Sequence, residues 1–223
     1  MPSAPDLSRP DAEGRKLPAS KWRAEGSGEH YTTGRWGSRR HRERDPRAIG
    51  KLLDKLGITS GPLLDAACGT GRLRPMLDSG EREWFGVDAS LSMLREARTE
   101  GPTRTCLGVV EALPYRDGAF RAVVANRLLH HFETYVEVRG VLGELLRVSS
   151  GPVITSFWNT ASFPAWKRRV GLSKCEGPNG RFAHPTDFMR LAAEELSAEL
   201  IGVRRVLPFL SQQCYAAFQR KPG

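Results

Sequence analysis

The stretch LLDAACGTGRL, residues 63–73, decides the reading of this chain. Pro62 to Ala67 is apolar and short, as a buried strand should be, and it carries one acid, Asp65. The strand breaks into the turn Cys68-Gly69-Thr70-Gly71, which is expected to open a helix from Arg72. A glycine turn between a strand and a helix sets backbone N–H groups against a ligand, at the positive end of the helix dipole. The dinucleotide fingerprint G-x-G-x-x-G would require glycine at position 74, where Arg74 stands, so a nicotinamide dinucleotide is not the expected ligand.

Outward from this turn, strands and helices alternate. Upstream, Asp45-Pro46 reads as an N-cap followed by proline at the first helical position, with Ile49, Leu52, Leu53 and Leu56 at helical spacing and a stop at Gly57. Downstream, Trp84 to Val87 is a second strand ending on Asp88, and Ser90 caps a helix running to Arg98. Further strands are predicted over residues 105–110, 119–125 and 151–157, with a helix containing Val138, Val141, Leu142, Leu145 and Leu146. A helix over residues 186–200 and strands over 201–207 and 213–218 close the chain. The pattern predicts an α/β fold, a Rossmann-like doubly wound sheet of seven strands, mostly parallel, with the last strand antiparallel. Residues 1–30 read as a disordered tail and residues 31–223 as a single domain, with 31–44 as a lid and 158–184 as a substrate-side insert.

Composition narrows the function classes. At 223 residues, 39% hydrophobic and 26% charged, the chain can build one substantial core and resembles a water-soluble protein. No stretch approaches a membrane span, and the charged, proline-bearing start lacks the apolar core of a secretory signal. Four cysteines with no CxxC spacing argue against a disulfide scaffold or a zinc site, and a cytoplasmic location with no metal is expected. The net charge of +9 is concentrated in residues 35–47, with six arginines, and residues 164–181, with five basic residues.

Four segments in order, LLDAACGTGRL, FGVDASLSML, EALPYRDGAF and AVVANRLLHHF, resemble the class I S-adenosylmethionine-dependent methyltransferases. The likeness extends over about residues 45–219 and is nearest to the small-molecule group that includes quinone-biosynthesis enzymes. It implies S-adenosyl-L-methionine as cofactor. Asp65 would orient the glycine loop and the methionine amino group, and the backbone of Ala67, Gly69 and Gly71 would run under the methionine portion. Asp88 would bind the ribose hydroxyls, with Ala89 and Met93 beside the adenine. Val110 and Glu111 would face the adenine edge, Asn126 would lie under the sulfonium, and Tyr31 would close over the site. Two departures stand out. Ala67 replaces a family glycine, at little cost if that position is not at positive φ. Val109 replaces the acid that usually reaches the adenine amine.

His130 and His131 follow the fourth strand, where the methyl acceptor should lie, and His131 is the favoured general base. The [DN]-P-P-[YF] loop of base-amine methyltransferases and the Pro-Cys of cytosine-ring enzymes are both absent. Tyr31, Trp36, Phe157, Trp158, Phe163 and Trp166, with nearby arginines, are expected to roof the acceptor pocket. Aromatic walls with a cationic rim suit a small aromatic or acyl acceptor carrying an anionic group. An RNA acceptor would account for the arginines, but no separate RNA-binding module is visible; a non-catalytic cofactor-binding protein is the other alternative.

Overall fold

The computed structural model describes residues 39–99, 104–172, 182–206 and 209–221. In chain order the elements are α1 (Arg39–Lys55), β1 (Ser60–Ala66), α2 (Arg74–Leu77), β2 (Glu81–Asp88), α3 (Leu91–Ala97) and β3 (Thr105–Leu107). Then come β4 (Ala122–Ala125), a short 3-10 helix (Leu129–His131), α4 (Tyr135–Val148), β5 (Val153–Asn159) and α5 (Phe163–Arg169). The chain closes with β6 (Ala183–His184), α6 (Thr186–Glu195), β7 (Ala198–Arg205) and β8 (Gln213–Arg220).

The strands form one sheet in the order β3-β2-β1-β4-β5-β8-β7. Strands β1 to β5 run parallel, while β8 is antiparallel to both β5 and β7. The seven-stranded expectation therefore holds, with one addition: the two-residue β6 pairs with the end of β5 at Trp158 and Asn159.

Because helices cover both faces, the central strands are apolar on both sides. On one face Val123, Ala125, Val153 and Phe157 pack against α4 and α6 through Val138, Leu142, Leu145 and Met189. On the other, Leu63, Ala122, Val124, Ile154 and Tyr215 meet Ile49 and Leu53 of α1, with Leu77 and Leu94. Helix starts are chemically defined: Ser90 accepts from Met93 N at the head of α3, and Thr134 forms a capping box with Glu137 at the head of α4.

Three expectations need correcting. Asp45 is not an N-cap: α1 already runs from Arg39, with Pro46 inside it, and Asp45 is fully buried. The helix after the glycine turn starts at Arg74 rather than Arg72 and lasts four residues. Helix α6 stops at Glu195, because Ser197 turns to φ 52 and β7 begins at Ala198, inside the predicted helix. The described part of the 158–184 insert contains α5, capped by Ser162, and β6.

Candidate functional site

The ligand end of a parallel sheet lies beyond the carboxyl ends of its strands, where the order reverses. Here β1 sits between β2 and β4, so its C-terminal turn meets both the β2 end and the β4 end. An open cleft lies there, lined by Asp65, Ala67, Cys68, Gly69, Thr70, Arg72, Leu73, Asn126 and Arg127.

Two carboxylates organise the glycine turn. Asp88 ends β2 and accepts from Gly69 N on Oδ2 and from Ser90 N on Oδ1, each at 2.8 Å. Burial raises the Asp88 pKa, and the N–H groups of Ser90, Gly69 and Ala89 hold the rise back. Asp65, 1% exposed, takes a bond from Trp84 Nε1 at 3.3 Å. Burial pushes its pKa up to about 7, against the pull of Trp84 and Arg72. The indole can lie there because residue 86 is glycine: a Cβ on Gly86 would come within 2.6 Å of the Trp84 ring. Gly69 shows the opposite situation. Its φ is +57°, and a Cβ built on it would have nothing within 4 Å. The turn thus presents bare backbone to open space. Ala67 is itself at φ 59, so the glycine-to-alanine departure does fall at a strained position.

Asp45, which sequence reasoning assigned to a helix cap, lies at the back of this cleft. Its Oδ2 accepts from Arg127 Nε at 2.9 Å, Arg72 Nη2 at 3.0 Å and Asn126 Nδ2 at 3.4 Å. Its Oδ1 accepts from Tyr215 OH at 2.8 Å, with Arg44 Nε 3.6 Å away. Burial raises the Asp45 pKa, but Arg127, Arg72 and the hydrogen bonds outweigh it and hold the carboxyl below its ordinary value.

Among the predicted cofactor residues, the cleft gathers Asp65, Ala67, Gly69 and Asn126, with Asp88 bonded into its wall. Asn126 Oδ1 is buried with no hydrogen-bond partner. Gly71 turns toward α3 and faces Ala97. Ala89 is half-buried beside Asp88, and Met93 is buried one turn into α3. Val110 is buried in a tight turn closed by the Val109–Ala112 bridge, where Glu111 is exposed. Tyr31 lies outside the described residues, as does the 31–38 part of the lid; the rest of the lid is helical, as the start of α1.

The two histidines differ. His130 is buried, its ring stacked on Trp158 with centroids 4.8 Å apart, and His131 is half-buried and tilted against His130 at 4.2 Å. Neither lines the cleft described above. Trp158 also lies under the Arg168 guanidinium, and Trp166 stacks on Phe163. Phe157 does not roof a pocket. It is fully buried on the α4 side of the sheet, since alternation along β5 turns it away from its neighbours.

Residues 64–151 match a family model described as a methyltransferase domain. Over these residues the chain is similar to methyltransferase domains. A protein of Encephalitozoon cuniculi (strain GB-M1) named as a methyltransferase is 28% identical over 116 residues. That match covers 50% of this chain and 52% of the relative, so the chain spans about half the length of the curated relative it matches. Among solved structures, magnesium protoporphyrin IX methyltransferase from Synechocystis PCC 6803 with bound S-adenosylmethionine gives a TM-score of 0.69 at 15% identity, covering 99% of this chain and 100% of that one. The CcbJ methyltransferase from Streptomyces caelestis gives 0.68 at 16% identity, covering 87% and 96%. At such identities the likeness establishes the fold alone. The family uses S-adenosylmethionine. Three features of the domain fit that molecule: backbone at Gly69 facing open space, the unpartnered Asn126 Oδ1, and a carboxyl at Asp65 able to meet an ammonium group.

Proposed function

We propose that this chain is an S-adenosylmethionine-dependent methyltransferase acting on a small aromatic or acyl molecule that carries an anionic group. The observation that carries the reading is the Asp88-to-Gly69 bond, which fixes an open glycine turn between two buried acids. Asp65 and Asn126 would hold the amino-acid end of the cofactor. Asp88 would take the ribose hydroxyls, with Ala89, Met93, Val110 and Glu111 around the adenine. Bound there, the cofactor supplies a methyl group already activated on a sulfonium. The protein's own work is alignment of the acceptor and exclusion of water.

Where the acceptor must lose a proton, we assign that role to His131, which is half-exposed; His130, buried against Trp158, would support its ring. The cations of α5, Lys167, Arg168 and Arg169, with no acid in that helix, support an anionic acceptor, as does Trp158 under Arg168.

Calorimetry with S-adenosylhomocysteine and with NAD tests the cofactor site. The expected result is binding of the first alone, with Asp88→Ala losing about 1–3 kcal/mol as ribose hydroxyls go unpaired. Equal binding by wild type and Asp88→Ala would remove the assignment of Asp88. The acceptor is found by incubating the protein and labelled cofactor with a metabolite extract and searching by mass spectrometry for molecules that gain one methylene.

A further inference from the structure

Helix α5 alone among the described helices buries none of its residues, although its sequence, FPAWKRR, carries two aromatic rings. Trp166 is exposed, and so is Val170, one turn further on, whose N–H donates to Trp166 O at 3.1 Å. Phe163 stacks on Trp166 with ring centroids 5.6 Å apart and meets the Phe209 ring at 5.8 Å. The segment around Phe209 is pinned to the root of this helix: Phe163 N donates to Phe209 O at 2.7 Å, and Asn159 N to Gln212 O at 2.8 Å. Two separate parts of the chain thus make one apolar surface, in which Phe209 and Leu210 stay 57% and 67% exposed. Phe209 also holds a left-handed backbone, φ 62, which a bulky residue adopts only at a cost. Contiguous apolar exposure of this kind marks a place where something docks.

The charge on these two segments has one sign. Lys167, Arg168 and Arg169 follow Trp166 directly, and Lys167 Nζ lies 4.7 Å from the Phe163 ring centroid. The sequence places no acid between residues 157 and 175, nor anywhere from 200 to 223. Lysine and arginine lay their methylene stems along an apolar surface while their charged ends reach past it, and a tryptophan ring suits the boundary between apolar and wet surroundings. Apolar groups ringed by cations alone match a plane that is anionic outside and apolar beneath, as a bilayer of acidic lipids is. Among the described residues no helix is long and apolar enough to cross a membrane, so such contact is peripheral. Helix α5 also follows the carboxyl end of β5, the end of the sheet that holds the cleft.

We propose that α5 and the Phe209–Leu210 turn form a peripheral docking surface for an anionic lipid bilayer. Trp166, Val170, Phe209 and Leu210 enter the interface, and Lys167 and Arg169 meet the lipid phosphates, while Arg168 stays over Trp158. The surface stands independently of the cofactor reading, since none of these residues lines the cleft.

The test is flotation of the full chain with vesicles of phosphatidylcholine alone or of phosphatidylcholine mixed with phosphatidylglycerol. Wild type is expected to float with the anionic vesicles and to stay behind with the neutral ones. Trp166→Ser and Leu210→Ser should each weaken partitioning onto anionic vesicles about tenfold, the scale of one large apolar side chain left in water. Lys167→Gln and Arg169→Gln should each weaken it about fivefold. Trp166 and Leu210 are exposed, so thermal melts should be unchanged; if Trp166→Ser melts early, Leu210→Ser decides. Binding that survives all four substitutions would belong to arginines elsewhere in the chain and would overturn the proposal, as would no binding by wild type. Displacement of the vesicles by low-millimolar inorganic phosphate would make this a site for the free anion, which also overturns it. So does a dimer, formed without vesicles and lost in Leu210→Ser, since the surface would then belong to a second copy of the chain.

Discussion

Asp65 shows how one side chain links burial to function. Its carboxyl has an ordinary value of 3.8 and a folded value of about 7, because burial outweighs the Trp84 bond and the Arg72 charge. A raised folded pKa means that the folded protein binds the proton more tightly than the unfolded chain does. The resulting stability is full below pH 3.8 and is lost as pH rises toward about 7. The stability difference between wild type and Asp65→Asn, measured by denaturant titration, should therefore fall across that window and level off above it. Binding should run the other way. A ligand ammonium group favours the carboxylate, so S-adenosylhomocysteine affinity should rise through about pH 7 in wild type and stay flat in Asp65→Asn. A flat wild-type profile would mean that no ammonium meets this carboxyl. Ala67 offers a second test at this scale. Its φ of 59 costs an alanine about 1 kcal/mol relative to glycine. Ala67→Gly should consequently be neutral or slightly stabilising in thermal melts, where glycine substitutions in strands and helices usually destabilise. Sequence alone supplied the identity of this departure but not its φ, which depends on how β1 enters the turn.

At the scale of elements, the turn that would face the adenine is held by a helix on the far side of its own loop. Glu144 of α4 accepts from Leu113 N at 2.8 Å, and Arg147 donates to Leu113 O at 3.0 Å, Tyr115 O at 2.8 Å and Asp117 Oδ1 at 2.8 Å. Arg147 also pairs with Glu144, and that bond keeps the Glu144 pKa below its ordinary value. Arg147→Ala removes the donors to two backbone carbonyls and leaves them to water. The expected cost is about 1–3 kcal/mol of stability, with faster hydrogen exchange in residues 109–115. Unchanged exchange there would show that the Val109–Ala112 bridge suffices on its own.

These elements also show what was legible in the sequence. The strands at Leu63, Phe85, Val123 and Ile154 were found because a central parallel strand is a short apolar run whatever surrounds it. Ser90 was found because a cap is a local interaction. Asp45-Pro46 was misread for the complementary reason: locally it has the chemistry of a helix start, and only long-range partners, one of them 170 residues away, explain a buried Asp there. Arg72, Arg127, Glu144 and Arg147 were missed in the same way, since nothing in local spacing separates a buried, paired arginine from a solvated one. The one hint was density: six arginines crowd residues 35–47, beside the acid that takes up two more from elsewhere.

For the molecule as a whole, α1 is the part whose attachment is least local. It precedes the sheet in sequence, packs Ile49 and Leu53 onto it, and reaches the cleft wall through Asp45. Opening of α1 away from the sheet would part Asp45 from Arg72, Arg127 and Asn126 together. A ligand that needs those groups binds the closed state alone and so opposes that opening. By linkage, ligand at about 100 times its dissociation constant stabilises the competent state by about 2.7 kcal/mol. Amide exchange that proceeds through α1 opening should then slow by about the same factor of 100. The measurement is hydrogen exchange over residues 45–53 with and without S-adenosylhomocysteine, with α6 as the internal reference. Helix α6 packs on the opposite face against α4 and shares no residue with the cleft, so its sub-global opening should respond less. Strong slowing in α1 with weaker slowing in α6 would place the N-terminal helix inside the binding unit. Equal slowing in both would mean that α1 opens only when the whole domain unfolds. No slowing in α1 would mean that the helix frays independently of the cleft, and that the Asp45 network is remade faster than ligand can report it.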